Sequence, residues 1–405
     1  IDGAEHLKSK KTITSIISFS SIMFTSKWVQ SKAVFSGSSR NILTWQQIQG
    51  TESAELMMPA VEHYFTSKQV PREKSTNQNY FYYDVHDGKM IYLLTQHSQW
   101  TCKFHSFLLC TTSRGQGVMS GDHVCQMMSQ EEQVRLYERS KRRWELKTSR
   151  SGTYLVKEHR DWVDVSNHGV SHHGIHPSLL PVDDICFDIF HMKCSATKKL
   201  MAYLRRFILN QSPEIIKDFN VKVLKNFWNH YHIHVWRNKK NFASFLGNEI
   251  ALFVANTEKI TGFLRENFIS TNEIEDIMEG LELWEQMFKF LAITYLDNGE
   301  NNYVKAIERF ERSVRRFYDV GSRTFLSSSG EEETFYCHVL RFYMLPIAKK
   351  TYERHKLGLG IFSMQGFERR NKESKRCLTR TSNYRGNIVV NNVKRLWDYY
   401  KYGEN

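Results

Sequence analysis

LGLGIFSMQGFERRNKESKR, residues Leu357 to Arg376, is the stretch on which the reading of the fold turns. Its first half is apolar and punctuated by Gly358 and Gly360, which predicts a strand. Glu368 follows at the head of a basic helix carrying Arg369, Arg370, Lys372, Lys375 and Arg376. A carboxylate among cations suits a group that holds a divalent metal while its neighbours grip a phosphate backbone. The same pattern suits an ordinary helix start, because acidic side chains oppose the positive end of the helix dipole. The local residues leave both open.

Working outward, the chain changes character near Pro181. Before it the pattern mixes strand and helix. Ile13 to Phe24 and Trp28 to Phe35 read as strands, Ser53 to Ser67 as a helix, and Tyr80 to Val85 as an aromatic strand that delivers Asp84 and Asp87. A helix continues from Asp87, a second strand covers Phe104 to Cys110, and Ser129 to Lys147 is a basic helix. After Pro181, segments near 190–209, 213–236, 246–268, 272–296 and 300–319 repeat apolar residues every three or four positions, as helices with one buried face do. A further helix spans Thr334 to Glu353. Residues 1–180 therefore read as the first part of an α/β core with a basic, His-rich segment. Residues 181–353 read as a helical insertion, and 354–405 as a final strand and basic helices that complete the core.

With 405 residues the chain can bury a substantial core. Its net charge of +13 and pI near 9.3 point to a polyanionic partner. No window holds the roughly 18 apolar residues of a membrane span, so no membrane partner is expected. Ile13 to Phe24 follows Lys8, Lys10 and Lys11, yet it alternates like a strand and no small-residue cleavage site follows, which argues against a signal peptide. The chain opens on Ile1 rather than Met, as a truncated or processed terminus would. Seven scattered cysteines form no disulfide framework and fit a reducing compartment.

Carboxylates drawn from distant positions can converge on two divalent cations about 3.5–4 Å apart, which activate the attacking oxygen and stabilise the leaving one. Asp2 before the first strands, Asp87 after the aromatic strand and Glu368 on a late helix occupy positions of that kind. Four patches carry a resemblance. They are the opening Ile-Asp-Gly, Glu52 to Phe65 (ESAELMMPAVEHYF), Phe81 to Leu94 (FYYDVHDGKMIYLL), and Met364 to Lys372 (MQGFERRNK) with the distal Asn392 to Tyr402 (NVKRLWDYYKY). In order and spacing the chain resembles the DDE transposases, closest to the Transib type and to the catalytic subunit of the RAG recombinase.

The resemblance implies a mixed α/β fold, an RNase H-like core interrupted by a large all-α insertion. It implies DNA phosphodiester hydrolysis and strand transfer with Mg²⁺ or Mn²⁺ on Asp2, Asp87 and Glu368, Asp84 being the rival of Asp87. Double-stranded DNA as partner, a homodimer and a nuclear location follow from it too. It also implies a zinc site of a CxxC pair and two later histidines that tie the helical insertion to the core. Cys110 and His338 match two of those ligands, but Ser113 and Tyr343 stand where the others belong. Ser is a poor zinc ligand. Cys102, His105, His123, Cys125 and Cys337 are local substitutes with no decisive spacing. An eroded site of this kind fits an inactive relic as well as a working enzyme.

Other features point the same way with less specificity. Arg135 to Lys147 interleaves cations with Tyr137 and Trp144, and Arg142, Arg143 and Trp144 suit phosphate contact with stacking. Arg369, Arg370, Lys372 and Lys375 suit phosphate contact near Glu368. His168, His172, His173 and His176 read as exposed loop histidines. Ile185 to Cys194 matches a segment that opens the family's insertion, which sets Asp188 and His191 near the active site. The competing reading is a basic nucleic-acid-binding protein that uses the same surface without catalysis.

Overall fold

The computed structural model describes residues 2–8, 13–22, 42–50, 84–86, 88–95, 109–110, 125, 127–151, 167–171, 174–211, 213–223, 247–294, 299–326, 335–365 and 368. The chain divides into two compact units. One comprises Ile1–Ser113, Met127–Asp188 and Phe362–Asn405, the other Arg114–Gln126 and Ile189–Ile361.

In the first unit, strands β1 (Asp2–Lys8), β2 (Ile13–Ile22) and β3 (Ile42–Gly50) form an antiparallel sheet in that order. Asp2 pairs with Ser18 at one end of β1. A separate two-stranded parallel sheet joins β4 (Asp84–His86) to β5 (Ile185–Phe187), with Asp84 opposite Ile185 and His86 opposite Phe187. Helix α1 (Gly88–Thr95) follows β4, and helix α2 (Gln130–Ser151) presents the basic run. The expected strand at Ile13 is present, as are the helices expected after Asp87 and from Ser129. The expected elements at Trp28 to Phe35 and Ser53 to Ser67 lie outside the described residues.

The second unit is helical. It contains α3 (Ile189–Gln211), α4 (Pro213–Lys222), α5 (Gly247–Ala255), α6 (Thr257–Asn267), α7 (Asn272–Leu291), α8 (Gly299–Arg323), α9 (Phe335–Phe342) and α10 (Met344–His355). The periodicity explains α8 well. Tyr303, Ile307, Phe310, Val314 and Phe317 are buried at three- and four-residue intervals along it. Phe310 stacks on Phe290 of α7 with centroids 4.3 Å apart, and Tyr303 stacks on Tyr352 of α10 at 3.8 Å. On the outer face Arg316 binds both carboxylate oxygens of Glu279, and Arg323 both of Asp276. These exposed pairs each add roughly 0–1 kcal/mol, so burial of the aromatic stripe dominates.

Local chemistry sets the breaks between helices. The periodic segment 246–268 is two helices because Asn256 turns its amide to Leu252 O and Thr257 its hydroxyl to Val254 O. Such side-chain bonds to nearby backbone compete with helix continuation. Thr271 caps α7 by accepting the Ile274 N–H. Lys356 closes α10 in a left-handed conformation, φ 57°.

The expected fold class needs correction. The described residues do not build an RNase H-like mixed sheet flanked by helices; they are dominated by helix. Their strands form a separate antiparallel sheet and one three-residue parallel pair, and no mixed sheet joins them. The glycine-punctuated stretch that suggested a final strand is instead a 3₁₀ turn, Leu359–Phe362. Its glycines serve close approach: Gly358 N–H donates to Thr294 O and Gly360 N–H to Ile293 O. A Cβ on Gly358 would meet Ile293 O at 2.2 Å, and one on Gly360 would meet Ala292 O at 2.6 Å.

That contact supports a paired prediction. Gly358→Ala should destabilise by at least about 1–3 kcal/mol, since backbone must move to admit the methyl. Gly262→Ala, inside α6 with nothing within 4 Å of the added carbon, should stabilise by about 0.8–1.0 kcal/mol through helix propensity. Urea midpoints of both variants check the opposite signs; equal shifts would remove the packing argument.

Candidate functional site

Two groups of residues concentrate the chemistry. The first is built on a local turn. Leu109 is buried with φ 66°, a left-handed backbone that a leucine adopts only when its surroundings dictate it. Its carbonyl accepts the Met128 N–H at 2.7 Å, and Cys110 bridges antiparallel to Met127. Two residues before Met127 stands Cys125. A ligating atom from each of Cys110, Cys125 and His338 lies within 4.8 Å of the others, all three buried. Cys125 as a whole residue is only half-buried. This buried group could hold a metal ion.

His338 projects from α9 and is fully buried. Its Nε2 lies 3.5 Å from Cys125 Sγ and 3.3 Å from the Tyr343 hydroxyl. Residues five apart do not share a face of a continuous helix. The break between α9 and α10 falls at Tyr343 and returns its ring to His338, edge-on with centroids 5.2 Å apart. Of the expected zinc ligands, Cys110 and His338 do come together. Cys125 joins them, although its spacing from Cys110 did not distinguish it from the other candidates. His105, His123 and Cys102 lie outside the described residues. Cys337, next to His338 in the chain, is not part of the group.

The second group centres on Asp188. Strands β4 and β5 run parallel, so the residues that follow them leave from the same end. Asp188 follows Phe187 directly, is fully buried, and precedes α3. Its Oδ1 accepts the Met364 N–H at 2.8 Å. Met364 O in turn accepts the Glu368 N–H at 2.9 Å, which opens the turn bearing Glu368. A carboxylate from the end of β5 is thus fastened to the segment that carries the late glutamate. Glu368 itself is half-buried.

The remaining expected residues are placed as follows. Asp2 opens β1. Asp87, the residue after His86 of β4, lies outside the described residues, as do Arg369, Arg370, Lys372 and Lys375. On α2, Lys141 and Arg142 are exposed, and Arg143 and Trp144 half-buried. Arg135 is held by both carboxylate oxygens of Glu132, which raises its pKa. Of the loop histidines, His176 accepts the Ser178 N–H at Nδ1 and lies 3.5 Å from Glu138 at Nε2. His172 and His173 lie outside the described residues. No described helix is long and apolar enough to cross a membrane.

No protein-family model matches the chain. No curated protein matches it significantly either.

Proposed function

We propose that this chain is a DNA-processing protein of the transposase type, which uses Mg²⁺ or Mn²⁺ to hydrolyse phosphodiesters and transfer strands. The single observation that carries the reading is the Asp188–Met364 hydrogen bond. It sets a buried carboxylate beside the approach to Glu368, and hard divalent ions require such convergent oxygen ligands. Asp87 and Asp2 are the further carboxylates of this proposal. When bound, the metal would polarise the scissile phosphate and supply a water-derived nucleophile. Asp188 and Glu368 would hold it, and the cations of α2 would keep the DNA backbone in register.

The exposed Lys141 and Arg142 and the net charge of +13 support duplex DNA as partner. A dimeric state and a nuclear location belong to the same proposal and rest on the family resemblance. For the Cys110, Cys125 and His338 group the proposed ion is Zn²⁺, because thiolate and imidazole together favour it over Mg²⁺ or Ca²⁺. That ion would be structural, separate from the hydrolytic metals.

Nicking of supercoiled plasmid in Mn²⁺ tests the reading without knowledge of the native DNA ends. The full chain should nick in Mn²⁺ and not in chelator. Glu368→Gln should abolish nicking while keeping plasmid binding and its salt dependence. A parent protein that binds DNA steeply with salt but never nicks would establish the competing reading, a non-catalytic binder, to which the exposed cations of α2 lend support.

A further inference from the structure

The Cys110, Cys125 and His338 group supplies three ligands, and structural zinc sites hold four. We infer that the phenol oxygen of Tyr343 is the fourth, giving a divalent-metal site of two sulfurs, one nitrogen and one oxygen. The inference rests on the zinc reading above and adds a residue that the sequence pattern had counted as a loss.

Geometry carries the argument. With Zn–S about 2.3 Å and Zn–N or Zn–O about 2.0–2.1 Å, the edges of a regular tetrahedron are roughly 3.3 Å between N and O and roughly 3.6 Å between S and N. The observed separations are 3.3 Å from His338 Nε2 to the Tyr343 oxygen and 3.5 Å from His338 Nε2 to Cys125 Sγ. Two edges of the polyhedron are therefore present at ligand–ligand spacing, and they share the same imidazole nitrogen. The third sulfur, on Cys110, lies within 4.8 Å of both Cys125 Sγ and the His338 nitrogen.

Burial adds to it. Tyr343 and His338 are both fully buried, so the phenol is fixed on the face of the imidazole where an ion bridging to Cys125 would sit. A hydrogen bond between His338 and Tyr343 satisfies both groups while the ion is absent. Binding exchanges that bond for two metal bonds with little movement of either ring. His338 and Tyr343 belong to adjoining helices of one packed unit, in which Val339 O still accepts the Tyr343 N–H. The pair is thus pre-positioned by backbone rather than by side-chain search.

The test uses the full chain, metal-free, with its tyrosines carbon-13 labelled at Cζ, and Zn²⁺ alone as probe. Tyr343→Phe identifies the Tyr343 resonance by its loss and removes only the hydroxyl from a buried ring. Tyr343→His places a nitrogen ligand at the same position. The expected result is one Zn²⁺ per chain with the Tyr343 Cζ resonance displaced on binding. Zinc affinity should fall in Tyr343→Phe by more than the roughly 10–100-fold that loss of an outer-shell partner costs, and Tyr343→His should bind at least as tightly as the parent. A Tyr343 resonance that stays in place while zinc binds overturns the inference, whatever the affinity of Tyr343→Phe, and leaves the three-ligand zinc reading standing. A parent chain that takes up no zinc removes both together.

Discussion

Trp284→Ala is expected to lower the unfolding free energy by about 3–5 kcal/mol, the range for removing a large buried aromatic. Trp284 is 1% exposed on α7 and sits against Phe317 and Phe288. Its indole N–H donates to the hydroxyl of Thr197 on α3 at 3.0 Å, and Thr197 is fully buried. The alanine variant therefore leaves both a cavity and an acceptor without its donor. Trp284→Phe separates the two contributions. It keeps most of the apolar volume and loses the hydrogen bond, so the remaining penalty should be about 1–3 kcal/mol. Combining Trp284→Phe with Thr197→Val should recover part of that penalty, because both polar partners are then gone. Guanidinium midpoints at constant slope measure all four proteins. Additive losses in the double variant would show that the indole–hydroxyl bond contributes nothing of its own.

Asp188→Asn is expected to cut metal-dependent nicking by at least the order of 100-fold that an outer-shell change alone costs at metal sites. DNA binding and unfolding should stay near the parent values. The amide has the same shape, and its oxygen can accept the Met364 N–H as Asp188 Oδ1 does. What it cannot do is serve as a carboxylate ligand to a hard cation. Asp188→Ala differs in a useful way. It also releases the Met364 N–H inside the protein, which should add a stability loss of about 1–3 kcal/mol. The two variants therefore split the functional role from the clamping role. Asp188 also stands immediately before α3, where an aspartate is a favoured helix cap. Were capping and clamping its whole purpose, Asp188→Asn would nick DNA as well as the parent, and the proposed function would lose its central residue.

The outcome for the resembling family's pattern is instructive residue by residue. The opening of β1 at Asp2 and the helix from Ser129 were legible because each is written in a short run of alternating or basic residues. Met364 to Glu368 was legible as a place of interest, but the strand assigned to Leu357 to Phe362 was wrong. Glycines spaced by apolar residues look alike whether they lighten a strand or let a 3₁₀ turn press against Ile293. Only the neighbour tells them apart. Asp188 was visible as a carboxylate in a familiar segment, yet its ligand-like role was not, since its partner Met364 lies 176 positions away. Tyr343 read as a broken zinc motif, although its oxygen lies where a fourth ligand would.

The sequence by itself determined the helices of the second unit, the basic balance of the chain and the cap at Thr271. Each of these depends on residues within a few positions of one another, and helical periodicity or a capping hydroxyl records them directly. The tertiary structure alone decided that Cys125 meets His338 across 213 positions, that Asp188 accepts from Met364, and that the break at Tyr343 faces its ring to the imidazole. Those meetings arise from how buried faces pack. Packing selects partners by shape and burial, and it leaves no fixed spacing in the chain to be read.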